Sequence, residues 1–231
     1  MSTFKKYIII ILLNFIFIES YCQMSLSTHS PINIKSITLD TIEVGKKSIS
    51  INVLWLNDTI RVSVLNQERI DTLSDNINHA GYFASKGYFL SNETAIQNCY
   101  SYALEKYFEN SKTYSQNIFR KTTNTDRVSL EKILNNSFTK ITEFSTKPRK
   151  NLKITIPNDV ILAFVNDFGW TIHTVYYCDE IFYTKNGMFK PDIFRSLNKF
   201  IKKNYWDTKE IIVYKIDENK IKNTCANTLY K

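Results

Sequence analysis

The sequence predicts an α+β fold, and three observations support that prediction. Segments of β-branched residues with mostly alternating polarity fill residues 32–70, and similar segments return in the last third of the chain. Between these regions lies an amphipathic helix near residues 92–109. The 231 residues are 43% hydrophobic and include only 5 Gly and 4 Pro, so the chain can bury a core.

Residues 1–22 have the pattern of a secretory signal peptide. A positively charged start precedes an apolar run over residues 7–18, and small residues follow at Ser20 and Cys22. The run is too short for an ordinary transmembrane helix, which needs about 20 apolar residues. We therefore predict cleavage before Gln23, export to the periplasm or the extracellular space, and no integral membrane span in the mature protein. Lipid attachment at Cys22 is the alternative, although the residues before it fit such a site poorly.

Residues 23–79 are predicted to form a small N-terminal β-rich segment. Its strands are separated by turn signals at residues 44–46 and 57–58. Three short strands are marginal by themselves, so we expect a meander that packs on the rest of the chain. The predicted strands cover residues 34–39, 48–55 and 59–65.

Residues 80–218 are predicted to form the main domain. The apolar residues of the helix at 92–109 repeat at spacings of three and four, which gives one apolar stripe. Alternating strand and turn signals dominate the last third, and residues 219–231 form a polar tail. The other predicted elements are helices at 129–134 and 192–204 and strands at 138–144, 159–165, 172–177, 181–184 and 210–216.

Charge and motif content argue against several classes of function. The 30 Lys and Arg exceed the 22 Asp and Glu, and the formal net charge of +8 suits either an acidic partner, such as an anionic cell envelope, or plain solubility. The sequence has no phosphate loop, dinucleotide fingerprint or basic run with interleaved aromatics, so we predict no nucleic-acid partner. With 3 His and 4 Cys we also predict no metal site, and no other cofactor is implied.

Cys99 and His173 are the residues best suited to carry chemistry. A cysteine nucleophile needs a thiolate, which a helix N-terminus stabilises, and an imidazole that exchanges its proton. Cys99 meets the first need if Asn98 caps the helix, and His173 lies on a predicted strand. The competing interpretation is structural, because Cys99 lies on the apolar stripe of its helix and His173 alternates with strand residues.

Four segments in order resemble the NlpC/P60-like branch of papain-fold enzymes. Residues 98–104 resemble the nucleophile helix, 157–164 the strand that follows, 172–177 the histidine strand, and 182–187 a variant of the next strand. The resemblance implies a papain-like domain in which the helix bearing Cys99 packs on an antiparallel sheet. This chain departs from the family pattern in several ways: Asn98 replaces an acidic residue, Asn158 and Ile172 each replace a Gly, and Thr184 stands near the missing second histidine.

The third catalytic residue depends on the register of the predicted hairpin. A two-residue turn at Asp179 and Glu180 places Asn186 opposite His173, whereas a three-residue loop places Lys185 there. Asn186 is the better orienter, because an amide oxygen can accept the imidazole N–H and lysine is a poor partner for a cationic ring.

The leading hypothesis is an exported cysteine hydrolase that cleaves an amide bond. Cys99 attacks the carbonyl, His173 moves the proton and Asn186 orients the ring, while the Cys99 N–H, with Asn98 or Gln97, stabilises the oxyanion. The resemblance favours bacterial cell-wall peptide, or a peptidoglycan-like substrate, and leaves acyl transfer open. The alternative is a non-catalytic envelope-associated binding protein on the same fold, in which Cys99 lies away from His173. The sequence does not indicate a protein inhibitor.

Removal of the signal peptide leaves an odd number of cysteines. Cys99, Cys178 and Cys225 remain, so at least one thiol is free or pairs with another chain. Because a nucleophile must be reduced, we predict that Cys99 is free and that a disulfide joins Cys178 to Cys225.

Overall fold

The protein is a mixed α+β structure with mostly antiparallel sheets. A computed structural model describes residues 30–45, 47–66, 80–87, 89–91, 96–146, 155–187 and 189–222. The predicted signal peptide with Cys22, and Cys225 with most of the predicted tail, lie outside the described residues.

The predicted N-terminal meander is present, and strands from later in the chain pair with the N-terminal region. A four-stranded antiparallel sheet has the order β2-β3-β4-β6, in which β6 comes from beyond residue 80. A short parallel pair, β1 with β5, also joins the two regions. The bounds are β1 (Ile32–Ile34), β2 (Ser36–Val44), β3 (Ser48–Trp55), β4 (Asp58–Leu65), β5 (Tyr114–Gln116) and β6 (Thr123–Thr125).

Two predicted helices begin later than the apolar pattern suggested. The long helix starts at Cys99, because the side-chain oxygen of Asn98 accepts the backbone N–H of Ser101 at 3.0 Å and caps it. The helix predicted at residues 192–204 starts only at Leu197. The helices are α1 (Ala80–Ser85), α2 (Cys99–Asn110), α3 (Arg127–Ser137) and α4 (Leu197–Asn204).

The residues before α4 form an edge strand instead of helix. They pair antiparallel with the preceding strand, and the Phe194 ring stacks on Phe182 across that pair at 4.7 Å. This strand completes a six-stranded sheet of order β11-β10-β9-β8-β12-β7. The bounds are β7 (Phe138–Ser145), β8 (Val160–Val165), β9 (Thr171–Cys178), β10 (Ile181–Thr184), β11 (Asp192–Phe194) and β12 (Glu210–Ile216).

The six-stranded sheet has an apolar core on each face, which explains why all six residues of β8 are buried. On one face, Ile161 and Tyr176 pack with α2 and with Trp55 of the N-terminal sheet. On the other face, Phe164 and Val175 pack with α4. Successive strand residues therefore point to different cores, and this alternation determines the geometry of the candidate site.

The predicted polar tail begins with an anchored helical turn. Residues 218–222 are helical, and Ile221 is buried in the core on the α2 face. Among the described helices, none has the length and apolar character needed to cross a membrane.

Candidate functional site

Cys99 is the first residue of α2, and it contacts Thr174 on the central sheet. Its carbonyl accepts the Thr174 hydroxyl at 3.1 Å. Burial raises the pKa of the thiol to about 11, against the opposing effects of the backbone N–H groups and the nearby Lys185 charge. The thiol is therefore protonated at neutral pH, in spite of its position at a capped helix N-terminus.

The hairpin between β9 and β10 has the two-residue turn that favours Asn186. Ile181 pairs with Cys178, and the turn residues Asp179 and Glu180 have positive φ values of 49° and 62°. Two left-handed residues are typical of a tight hairpin turn. Continued past the end of β10, this register places Asn186 opposite His173.

Lys185 lies on the same face of the sheet as Cys99. The hairpin register places it opposite Thr174, which is the residue that contacts Cys99. Lys185 is buried, and its ammonium donates to the carbonyl of Gly187. Burial lowers the pKa of Lys185 to about 8, while a negative charge on Cys99 acts in the opposite direction.

His173 points to the opposite face, into the core beside α4. Its ring stacks on Tyr205 at 4.1 Å and contacts Phe164 and Phe200. Its Nε2 lies 2.7 Å from Thr184 Oγ1, and its Nδ1 lies 2.8 Å from the Tyr205 hydroxyl. Burial lowers the pKa of the imidazole to about 3, so the ring is neutral.

The hydrogen bonds around His173 determine its tautomer. The Tyr205 hydroxyl donates to Asn186 Oδ1, so it accepts from His173 Nδ1–H. Nε2 of the neutral ring is then the acceptor of the Thr184 hydroxyl. Asn186 thus holds His173 only through Tyr205, and both ring nitrogens are occupied by neutral groups.

The predicted Cys99–His173 pair is not formed. No hydrogen bond joins the thiol to the imidazole in the part of the chain that the structure describes, and each residue has its own partners. The two residues are kept apart by the alternation of side chains along β9, because consecutive strand residues face opposite sides of the sheet. Thr174 faces α2, so His173 faces α4. In the pairing of β8 with β9, the register shifts between Phe164, which pairs with His173, and Val165, which pairs with Thr171. This bulge therefore lies just before His173 along β9.

The two amides predicted to assist an oxyanion hold the local structure together. Asn98 caps α2 through Oδ1 and donates from Nδ2 to the Thr125 carbonyl at 2.7 Å. Gln97 is buried, and its Nε2 donates to Glu105 at 2.9 Å. Burial raises the pKa of that carboxyl. Both amides are therefore engaged away from the Cys99 sulfur.

Neither described cysteine is in a disulfide. Cys99 and Cys178 are both free and half-buried. Burial raises the pKa of the Cys178 thiol. Its predicted partner, Cys225, lies outside the described residues.

Sequence reasoning missed the direct partners of both candidate residues. Thr174 received no role, because a threonine next to a histidine carries no catalytic pattern. Thr184 stood out only for its place near a missing histidine. Tyr205 lies 32 residues from His173, and no local signal connects the two.

A cavity opens beside the His173 network, on the α4 face of the sheet. Its volume is about 330 Å³, and Thr184, Asn186 and Phe200 contribute to its wall. No group of three or more His, Cys, Asp or Glu residues suited to a metal occurs within the described ranges.

The sequence matches no protein-family model and no curated protein, and no solved structure matches the chain. The resemblance to NlpC/P60-like enzymes therefore stays a prediction. A functional assignment for this chain accordingly depends on the geometry of the site.

Proposed function

We propose that the protein is a non-catalytic, exported binding protein associated with the bacterial envelope, on a divergent NlpC/P60-like scaffold. The observation that carries the proposal is the separation of Cys99 and His173 by the central sheet. A thiol with a pKa of about 11 and an imidazole with a pKa of about 3 are both uncharged at neutral pH. The pair has neither the contact nor the protonation states that an activated cysteine requires.

A turnover assay tests the absence of catalysis. Mature protein is incubated with cell-wall peptides and with synthetic peptide amides, and release of new amines and carboxylates is followed by mass spectrometry. We expect no turnover above that of a Cys99→Ala variant. Cleavage that is lost in both Cys99→Ala and His173→Ala, with both variants folded, would contradict the proposal.

Export is supported by the pattern of residues 1–22. We expect the protein recovered from the periplasm or the medium to begin at Gln23, as read by mass spectrometry of its N-terminal peptide. Recovery from the cytoplasm with residues 1–22 intact would contradict the export proposal. Recovery with a lipid on Cys22 would replace it with the lipoprotein alternative.

A cysteine hydrolase or acyltransferase is the second candidate, and the surroundings of Cys99 favour it. Cys99 is the first residue of a capped helix, nearby backbone N–H groups act to lower the pKa of its thiol, and Lys185 lies on its side of the sheet. In this candidate the neutral amine form of Lys185, which its pKa of about 8 makes accessible, takes the thiol proton in place of His173. The turnover assay separates the two cases, because turnover would then be lost in Lys185→Met and retained in His173→Gln.

A further inference from the structure

The cavity beside the His173 network has the size of a site for one small organic molecule. Its volume of about 330 Å³ lies at the lower end of the range for small-molecule pockets. Three aromatic side chains, Phe89, Phe189 and Phe200, contribute to its lining. Thr184 and Asn186 also line it, and both belong to the hydrogen-bonded network around His173. The cavity therefore combines aromatic walls with neutral polar groups from that network.

A chain of hydrogen bonds begins and ends at residues of this cavity and passes through the core between them. The Thr184 hydroxyl donates to His173 Nε2, and His173 Nδ1–H donates to the Tyr205 hydroxyl. The Tyr205 hydroxyl then donates to Asn186 Oδ1. Because the neutral imidazole has one donor and one acceptor, the direction of each bond determines the direction of the next. The chain therefore fixes which polar atoms Thr184 and Asn186 can offer to a ligand.

One end of the chain offers a donor, and the other end offers an acceptor. Asn186 Oδ1 is used by Tyr205, so the amide nitrogen of Asn186 is the atom that remains, and none of the described residues bonds to it. Thr184 is buried yet lines the cavity, and because its hydroxyl proton is used by His173, its remaining lone pairs can only accept. A primary carboxamide matches both groups, since its carbonyl accepts, its N–H donates, and the two lie on one edge.

The charged side chains of the lining do not favour a charged ligand. Lys190 and Asp192 carry opposite charges, and Lys203 already has an interaction within the protein. A carboxylate in place of the carboxamide would have no proton to donate to Thr184. The Thr184 hydroxyl could turn toward such a group only by leaving His173 Nε2, a buried acceptor, without its donor. The hydrogen-bond chain therefore favours a neutral ligand.

Hydrogen bonds hold the aromatic part of the lining in place. Lys190 N donates to the Phe89 carbonyl at 2.8 Å, and the Ser91 hydroxyl donates to the Phe189 carbonyl at 2.7 Å. Phe83 packs edge-to-face on Phe189 at 5.1 Å. The Phe89 side chain nevertheless stays 58% exposed. An ordered, exposed aromatic ring at a concave site is suited to covering an apolar ligand group.

We propose that this cavity binds a neutral primary carboxamide that carries one apolar, ring-sized group, an inference that rests on the proposed binding function. The ligand carbonyl accepts from the Asn186 amide, and the ligand N–H donates to Thr184. The apolar group lies against the phenylalanine rings of the lining. His173 and Tyr205 do not touch the ligand. They are positioning residues, which hold Thr184 as the acceptor and Asn186 as the donor.

Three probes that share one apolar group test the carboxamide. The amide, the methyl ester and the carboxylate of 3-phenylpropionic acid are titrated into the mature protein, and binding is followed by NMR spectroscopy. The ester keeps the carbonyl and loses the N–H, and the carboxylate loses the N–H and adds a charge. We expect the amide to bind about tenfold more tightly than either, the scale of one hydrogen bond to a buried partner. Equal binding of amide and ester, tighter binding of the carboxylate, or binding of none at millimolar concentration would overturn the inference.

Two matched variants locate the binding. Asn186→Asp keeps an oxygen for Tyr205 and loses the amide donor, whereas Asn198→Asp makes the same change on α4 outside the cavity lining. We expect the first variant to lose about tenfold in affinity for the amide and the second to match the natural protein. Phe89→Ala should weaken the amide and the ester by the same factor. Equal amide affinities in the two Asp variants would overturn the assignment to this cavity.

The role of the chain is tested by the preference for the amide over the ester. Thr184→Val removes the acceptor, and Tyr205→Phe removes the group that orients Asn186. Both should lower the preference toward one, whereas a merely structural loss would weaken both probes alike. A preference that stays at its natural value in both variants would overturn the role of the chain. Should the variants fail to fold, the Asn186 side-chain amide resonances of the natural protein should shift on addition of the amide, and unchanged resonances would overturn the contact.

The same titration separates failure of the inference from failure of the proposed function. Conversion of the amide probe to the acid and ammonia, lost in Cys99→Ala, would overturn the non-catalytic function. A lack of binding without conversion would overturn only the carboxamide site.

Discussion

His173 is a neutral imidazole enclosed by aromatic rings, and this environment determines how it responds to acid. Its ring nitrogens contact Thr184 and Tyr205, neither of which carries a charge. Protonation would bury a cation whose hydrogen-bond partners carry no compensating negative charge. For this reason burial lowers the pKa of the ring from 6.5 to about 3.

Because of His173, we expect the protein to become less stable as the pH is lowered below 6.5. In that range the unfolded chain binds a proton that the folded chain excludes, so the contribution is fully present above pH 6.5 and is lost as the pH falls toward 3. The expected loss of unfolding free energy between pH 7.5 and pH 5 is about 2 kcal/mol. Urea denaturation of the natural protein and of His173→Gln measures the difference between their pH slopes.

Equal slopes for the two proteins would contradict this prediction. Should the variant fail to fold, the imidazole resonances of the natural protein give a second test. They should stay those of a neutral ring down to about pH 5.

Residues with a local role were predictable, and residues with distant partners were not. The apolar pattern placed the helix start near residue 92, and a cap at Asn98 was only the condition that a catalytic Cys99 required. The structure shows that cap, a local use typical of an Asn directly before a helix. Asn186 was assigned to the His173 ring from hairpin spacing, and it reaches the ring only through Tyr205. That intermediary comes from the end of α4, which no spacing rule connects to the hairpin.

The start of α2 depends on Asn98 in two separable ways. The side chain accepts the Ser101 N–H as a cap and donates to the Thr125 carbonyl of β6. It therefore joins the helix to the N-terminal sheet as well as capping it.

Two substitutions of Asn98 distinguish these contributions. Asn98→Ala loses both bonds, and we expect a loss of about 2 kcal/mol in unfolding free energy. Asn98→Asp keeps the cap and loses the donor, so its loss should be about half as large. Denaturant titrations at neutral pH measure both. An alanine variant as stable as the natural protein would contradict the capping role.

The bounds of most strands were predictable, but the orientation of β9 was not. Alternation identifies a strand by the contrast between a buried face and an exposed face. Residues 173–176 of β9 are all buried, because α2 covers one face of the sheet and α4 the other. The residue pattern therefore does not indicate which face His173 takes, and the papain-like resemblance assumed the α2 face.

At the scale of the whole molecule, the N-terminal sheet and the central sheet share one core. The Trp55 ring is fully buried and packs edge-to-face on Phe108 of α2 at 6.0 Å and on Phe119 at 5.4 Å. β4 also pairs with β6 across the predicted boundary at residues 79 and 80. The two segments are therefore expected to unfold together.

We expect Trp55→Ala to destabilise the entire protein. Loss of a fully buried indole costs about 3–5 kcal/mol, and because the core is shared, probes in both sheets should report one transition. Trp206→Ala is the matched control, since Trp206 is 68% exposed and its loss should change stability by less than about 0.5 kcal/mol. A Trp55→Ala variant in which the central sheet keeps its full stability would contradict the shared core.

The separation of Cys99 from His173 is tested most directly by the pH dependence of Cys99 alkylation. Iodoacetamide rates are measured at Cys99 by peptide mapping, which distinguishes it from Cys178, in the natural protein and in His173→Gln. With a thiol pKa of about 11 and no imidazole contact, the rate should rise about tenfold per pH unit from about pH 6 to 9, equally in both proteins. A rate plateau at neutral or acidic pH that disappears in His173→Gln would show a thiolate–imidazolium pair and contradict the account.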